Sequence, residues 1–226
     1  MVLVVAGRIT AEQVAAAADR YLEPAPPMPE VRFCVEEPTE VCETRVEHTM
    51  PVSAPLFCLG FKEPPAACTP ARAAGVRLLP SLICGKGTAL YARLLEQGLI
   101  NERFDTDYFS GPGFGVWLFA GESADPDRVA QAIVEEIRRQ QAEGIDPEEL
   151  EPVRRAAYGR LISSLEDSSA CGETVLADLL DGIAPLSELD AIADITAQAL
   201  TEQLRSRIPA AEHTLSVIVP KTADVG

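Results

Sequence analysis

Apolar and polar positions succeed one another along this chain with two different periods, and the change from one to the other predicts its elements. Residues 2–6 are continuously apolar and end at Gly7, the pattern of a strand buried on both faces. Thr10 then stands as an N-cap acceptor with Gln13 three positions on, where a capping box places its amide. The helix predicted over residues 11–22 gathers Val14, Ala17, Ala18 and Tyr21 on one face. One strand and one helix cannot close a core. This opening is therefore expected to be the end of a domain whose beginning lies elsewhere.

The pattern breaks over residues 23–40, where Pro24, Pro26, Pro27, Pro29 and Pro38 predict an extended, semi-rigid linker. A complete second domain is expected over 41–221, with 222–226 as a tail. It opens with an alternating strand over 41–49 and an apolar one over 55–62, in which Cys58 reads as a buried apolar residue. A helix follows over 70–83, with Pro70 suited to its first turn and Pro80 expected to kink its end.

The centre of the domain is the stretch 85–121. It reads as a Gly-marked turn, a helix over 88–97 with Leu90, Tyr91, Leu94 and Leu95 on its apolar face, a turn at Gly98, and a hairpin closed by Gly111, Pro112 and Gly113. Phe104, Thr106 and Tyr108 share one side of the first strand; in the second, Trp117 and Phe119 oppose Val116, Leu118 and Ala120. Beyond Gly121, Asp125-Pro126 and Asp146-Pro147 repeat one device, an N-cap acceptor before a proline in the first helical turn. Core stripes follow in both helices, Val129, Ala132, Ile133 and Ile137 in the first and Leu150, Val153, Ala157 and Leu161 in the second, with a bend expected at Pro152. Further helices over 171–180, 186–193 and 196–208 lead to a last strand over 214–219. Together these elements predict an α+β domain, a mostly antiparallel sheet with helices packed on one face.

Composition narrows the function. A net charge of −16 repels nucleic acid and anionic membranes, leaving a cationic or neutral polypeptide as the partner that this surface admits. The six cysteines form no C-x-x-C pair and read as reduced thiols, which points to a cytoplasmic protein. No run reaches the roughly 18 apolar residues of a membrane span. The two histidines, His48 and His213, have no partner acid at metal-site spacing and read as surface or edge residues. Gly85-Lys86-Gly87-Thr88 ends like a phosphate loop, but Pro80 stands where the first glycine is required. Ser53, Ser163 and Ser164 lack the His and Asp of a triad.

The order of a helix, the sequence LLEQGLI, a hairpin and the helix start GESADPDRV resembles the C-terminal half of the pitrilysin or insulinase-like zinc peptidases, the inverzincins, and within them the bacterial YmfH-like subgroup. The resemblance runs from MVLVVAG to LSVIVPK. It implies a pitrilysin-type metallopeptidase half-domain with no catalytic residue and no metal ligand of its own. The family's H-x-x-E-H motif and its zinc are expected only in the missing N-terminal half. The implied function is that of the non-catalytic half of a zinc endopeptidase, inactive alone, which closes over the metal-bearing half and holds an unfolded peptide. The family often carries an Arg and a Tyr near the sequence REKGLAY that orient substrate. With Gly98 and Leu99 set on its Gly-Leu pair, Leu95 and Asn101 occupy those positions, so both are absent. Arg93, Arg103 and Tyr108 are the substitutes that the neighbourhood offers for binding substrate. An inert scaffold or pairing subunit of the same fold is the alternative. A free-standing homodimer starting at Met1 is a third reading, in which the strand over 2–6 pairs with a neighbouring chain or with the domain's own sheet.

Overall fold

Five strands form one mixed sheet in the order β1-β5-β2-β4-β3, and the computed structural model describes residues 2–23, 26, 38, 40–111 and 113–221 around it. The expected linker lies almost wholly outside the described residues, as do Cys34, Pro112 and the tail. The strands are β1 (Arg45–Met50), β2 (Leu56–Glu63), β3 (Asp105–Gly111), β4 (Phe114–Glu122) and β5 (Thr214–Pro220). Only β1 and β5 run parallel; every other pairing is antiparallel, in keeping with the predicted class. The helices are α1 (Ala11–Tyr21), α2 (Pro70–Cys84), α3 (Ala89–Glu96), α4 (Pro126–Glu143), α5 (Pro147–Ser164), α6 (Ser168–Leu180), α7 (Ser187–Asp194) and α8 (Ala197–Arg207).

Period-two alternation decides which face of the sheet is covered. In β2, Phe57, Leu59, Phe61 and Glu63 are buried, while Leu56, Cys58, Gly60 and Lys62 are half-buried on the opposite face. Cys58 thus takes the phase opposite to the core, against the expectation of burial. Trp117 and Phe119 of β4 and Leu215 and Val217 of β5 continue the covered face. Against it lie Leu78, Leu79 and Ile83 of α2, Ile133 and Ile137 of α4, and Leu200 and Leu204 of α8, all fully buried in one cluster. Pro80 sits inside α2 without ending it: the helix runs on to Cys84, and the Gly85 N–H still reaches Ser81 O at 3.2 Å. Asp125 and Asp146 both accept from the first turns of their helices, with proline in that turn as expected.

The LLEQGLI stretch terminates α3 by a Schellman arrangement. Gly98, at φ +65°, lets its own N–H reach Leu95 O at 3.0 Å while the Leu99 N–H reaches Leu94 O at 2.9 Å. Leu99 and Ile100 thereby turn inward and are buried, and the chain is delivered to β3. Leu95, assigned to the apolar face of this helix, is instead 39% exposed, because the buried face is narrower and consists of Leu90, Tyr91 and Leu94.

The opening segment departs most from expectation. Residues 2–6 are not a strand: they pair with nothing in the sheet, and Val2, Leu3 and Val5 are about half exposed. A strand exists only through its neighbours' hydrogen bonds, and the described chain offers this segment none. α1 forms with its capping box, Thr10 and Gln13 bonding reciprocally at 3.3 and 3.0 Å, yet it has no buried residue. The apolar face read from the sequence is present but poorly covered: Val14 and Ala18 are half-buried, Ala17 and Tyr21 exposed.

Candidate functional site

The residue that β2's alternation turns inward last is Glu63, a carboxylate only 2% exposed at the end of a strand of aromatic and aliphatic core residues. Burying it demands paired cations. Arg207, the last residue of α8 and 1% exposed, supplies the first: its Nε and Nη2 donate to the two carboxylate oxygens at 2.8 and 3.2 Å, a bidentate fork. Arg72, in the first turn of α2, donates to the same carboxylate. The remaining nitrogen of Arg207 donates to the Arg72 carbonyl and to Gln203 Oε1, each at 2.8 Å. One carboxylate thus ties the end of β2 to the start of α2 and the end of α8.

Aromatic rings close this cluster from the sheet side. The Arg207 guanidinium lies 4.8 Å from the Trp117 ring centre, and Tyr108 packs against Trp117 at a 54° tilt with centres 4.6 Å apart. Gly115 leaves room for that contact, since a Cβ there would meet the Tyr108 hydroxyl at 2.5 Å. Burial, followed by the charge of Glu63 and a hydrogen bond to it, pushes the Tyr108 hydroxyl above the usual phenol range. Tyr108 is therefore a neutral donor at the floor of the site.

Above this floor opens a cleft of about 1040 Å³ between the β3 edge and hairpin tip on one side and α2, α6 and the start of α7 on the other. Arg77 and Glu188 bridge α2 to α7 across one wall at 2.6 and 2.9 Å, with Glu188 buried. Of the three residues expected to bind substrate, Tyr108 lines this cleft and the other two do not. Arg93 is exposed on α3. Arg103 reaches the far end of the hairpin, where it pairs with Glu122 at 2.8 Å beside Asn101, whose amide donates to the same carboxylate at 2.7 Å. The Asn101 hydrogen bond, then that of Arg103, holds the Glu122 carboxyl below the usual range. The structure does not bring the three together.

Glu63, Arg72 and Arg207 were missed because 144 positions separate the central pair, so no local spacing announces it. One signal was available. The inward phase of 57, 59 and 61 extends to 63, where a core residue is due and a glutamate stands.

The described residues do not fit a zinc ion. Among them no three His, Cys, Asp or Glu side chains converge. His48 is exposed on the edge strand β1, and His213 is half-buried with its ring 5.7 Å from that of Phe61. Thr88, the candidate end of a phosphate loop, serves as the N-cap of α3, its hydroxyl accepting from the Tyr91 N–H at 3.2 Å. Five cysteines, 42, 58, 68, 84 and 171, are free thiols. No helix of the described residues is long and apolar enough to cross a membrane.

Comparison with known proteins gives concordant matches. Residues 1–157 match the family model for the peptidase M16 inactive domain. The uncharacterized zinc protease YmfH of Bacillus subtilis (strain 168) is 25% identical over 147 residues, which is 65% of this chain and 34% of YmfH. A candidate M16-like peptidase from Alicyclobacillus acidocaldarius shares the fold with a TM-score of 0.85 and 22% identity, over 94% of this chain and 52% of its own. The inactive peptidase domain of a candidate zinc protease from Bordetella parapertussis superposes with a TM-score of 0.64 and 17% identity, over 79% of this chain and 99% of that domain. The chain thus spans a third of its curated relative and about half of the Alicyclobacillus protein.

Proposed function

Because the chain belongs to the peptidase M16 inactive-domain family, we propose that it is the C-terminal, non-catalytic half of a zinc metalloendopeptidase, inactive alone, which closes a substrate chamber and holds peptide. The zinc and its H-x-x-E-H helix then belong to the other half, and this half contributes shape, charge and strand edges. The observation that carries the reading is the cleft of about 1040 Å³, open beside the free edge of β3 and floored by a fixed cluster of charge. It is at the upper end of the usual range for ligand pockets, roughly 300–1,000 Å³, and its edge strand suits an extended chain.

The opening segment supports the same reading. Residues 2–6 carry the composition of a central strand but pair with no strand among the described residues, and α1 presents an apolar face on which no residue is buried. As the last strand and helix of the metal-bearing half, both would find their partners there, with 23–40 as the linker. The free thiols suit a cytoplasmic location.

The test is co-expression with the metal-bearing half and purification of the pair, followed by cleavage of an unfolded peptide with and without chelator. The reading expects chelator-sensitive cleavage from the pair and none from this chain. Zinc-dependent cleavage by this chain alone overturns it. Stable association without cleavage favours the scaffold reading instead.

A further inference from the structure

We propose that the free edge of β3 is the docking strand for an extended cationic peptide, whose alternate side chains enter the cleft toward its unpaired carboxylates. The inference rests on the peptide-holding reading above and names the class of peptide.

Among the described residues β3 is the last strand of the sheet and is bonded only to β4. With Gly111 opposite Phe114 at the hairpin closure, antiparallel alternation gives the bonded pairs to Phe109, Asp107 and Asp105. Thr106 and Tyr108 therefore turn their backbone groups outward. Neither N–H meets another strand: each is held by the carboxylate of the preceding residue, Asp105 or Asp107, at 2.8 Å. Both aspartates are exposed, so these local bonds exchange readily for the carbonyls of an incoming chain. In the added strand, residues opposite Thr106 and Tyr108 place their side chains on the Tyr108 face, which lines the cleft.

The charge of that cleft selects the peptide. Its three arginines are committed, Arg72 and Arg207 to Glu63 and Arg77 to Glu188. Asp107, Glu173, Asp178 and Asp181 also line it, and none has a lysine or arginine partner among the described residues. Asp178 is 8% exposed, and among the described residues its carboxylate accepts only the Leu186 N–H, at 2.7 Å. Six carboxylates against three guanidinium groups leave the lining at −3, inside a protein of net charge −16. Phe114 lines the cleft at the hairpin tip and offers apolar surface to the aliphatic stems of lysine or arginine. A second copy suits the edge poorly, because it would bring Asp105 and Asp107 against their own counterparts.

Trp117 is the chain's one tryptophan and packs against Tyr108, so its fluorescence reports on this edge. The intact chain is titrated with an extended peptide bearing lysine at alternate positions, with its serine and glutamate counterparts, and with the lysine peptide N-methylated along one edge, with calorimetry alongside. The lysine peptide is expected to bind about tenfold or more tighter than the serine one, and more weakly as salt rises. The glutamate and N-methylated peptides are expected not to bind. The double variant Asp178→Asn, Asp181→Asn, which keeps both acceptors, should lose the lysine preference at an unchanged unfolding midpoint. Equal binding of all three charges, or indifference to N-methylation, overturns the proposal while leaving peptide holding intact. Absence of binding by any peptide overturns the peptide-holding reading itself. Self-association with amide protection confined to residues 105–110 would assign the edge to a second copy and overturn the proposal.

Discussion

α1 and α4 were read from the same signals, yet they live in different surroundings. Each begins with a side-chain cap, Thr10 or Asp125, and each carries an apolar stripe at helical spacing. α4 buries seven residues, Ile133 and Ile137 completely, against the sheet and α2, whereas α1 buries none. The strands repeat the contrast. LSVIVP lies inside β5 between two neighbours, while VLVVA has none. Local sequence specifies where an element starts and which face is apolar; only a neighbour turns that face into stability. The two regions are one design with and without its partner.

Truncating one apolar side chain on each helix should show the largest difference. Ile133→Ala is expected to cost about 2–5 kcal/mol, the transfer term plus a cavity that α2 and the sheet cannot fill. Val14→Ala should stay within about 0.5 kcal/mol in this chain. Denaturant titration of both variants gives the comparison, and a large loss from Val14→Ala would mean that α1 is coupled to the core.

A smaller difference is expected at the caps. Asp125→Ala removes the acceptor of the Arg128 N–H at the start of a helix that the core depends on, and should lower stability by about 1 kcal/mol. Thr10→Ala breaks a capping box as complete as any in the chain, and should fray α1 with no shift of the global midpoint. Circular dichroism followed through thermal unfolding separates the two.

The thiols extend the contrast within the packed domain. Burial, then the charge of Glu136, pushes the Cys84 thiol up to about 12, whereas Cys42 is exposed. Because Cys84 is held as the neutral thiol, the stability it contributes is full below its unfolded value near 9 and is lost as pH rises toward 12. At pH 8, alkylation is expected at Cys42 within minutes and at Cys84 only at the rate of global opening. Mass spectrometry of the modified peptides reads both rates, and equal rates would show the core to be looser than described.

The helices and strands from β1 to β5 were legible because their signals are local. Proline after an aspartate, glycine after LLEQ and the alternation in 116–119 each specify a bond or a face within a few residues. Tyr108 was legible as an aromatic sharing one side of its strand with Phe104 and Thr106. The cluster beneath it was not, because Glu63 and Arg207 meet only when β2, α2 and α8 are already assembled. Nor was the purpose of Gly115, since clearance for the Tyr108 ring belongs to a cross-strand neighbour. Residues 2–6 failed for the opposite reason: their composition is right for a central strand, but pairing is a property of two segments.

Amide hydrogen exchange across residues 2–21, in this chain alone and bound to the metal-bearing half, tests the central claim most directly. The account predicts near-unprotected exchange at residues 2–6 alone, and slowing by about a hundredfold or more in the complex, as the segment becomes a paired strand. Protection already present in the isolated chain, or exchange unchanged by the other half, would contradict the claim that this segment awaits a partner.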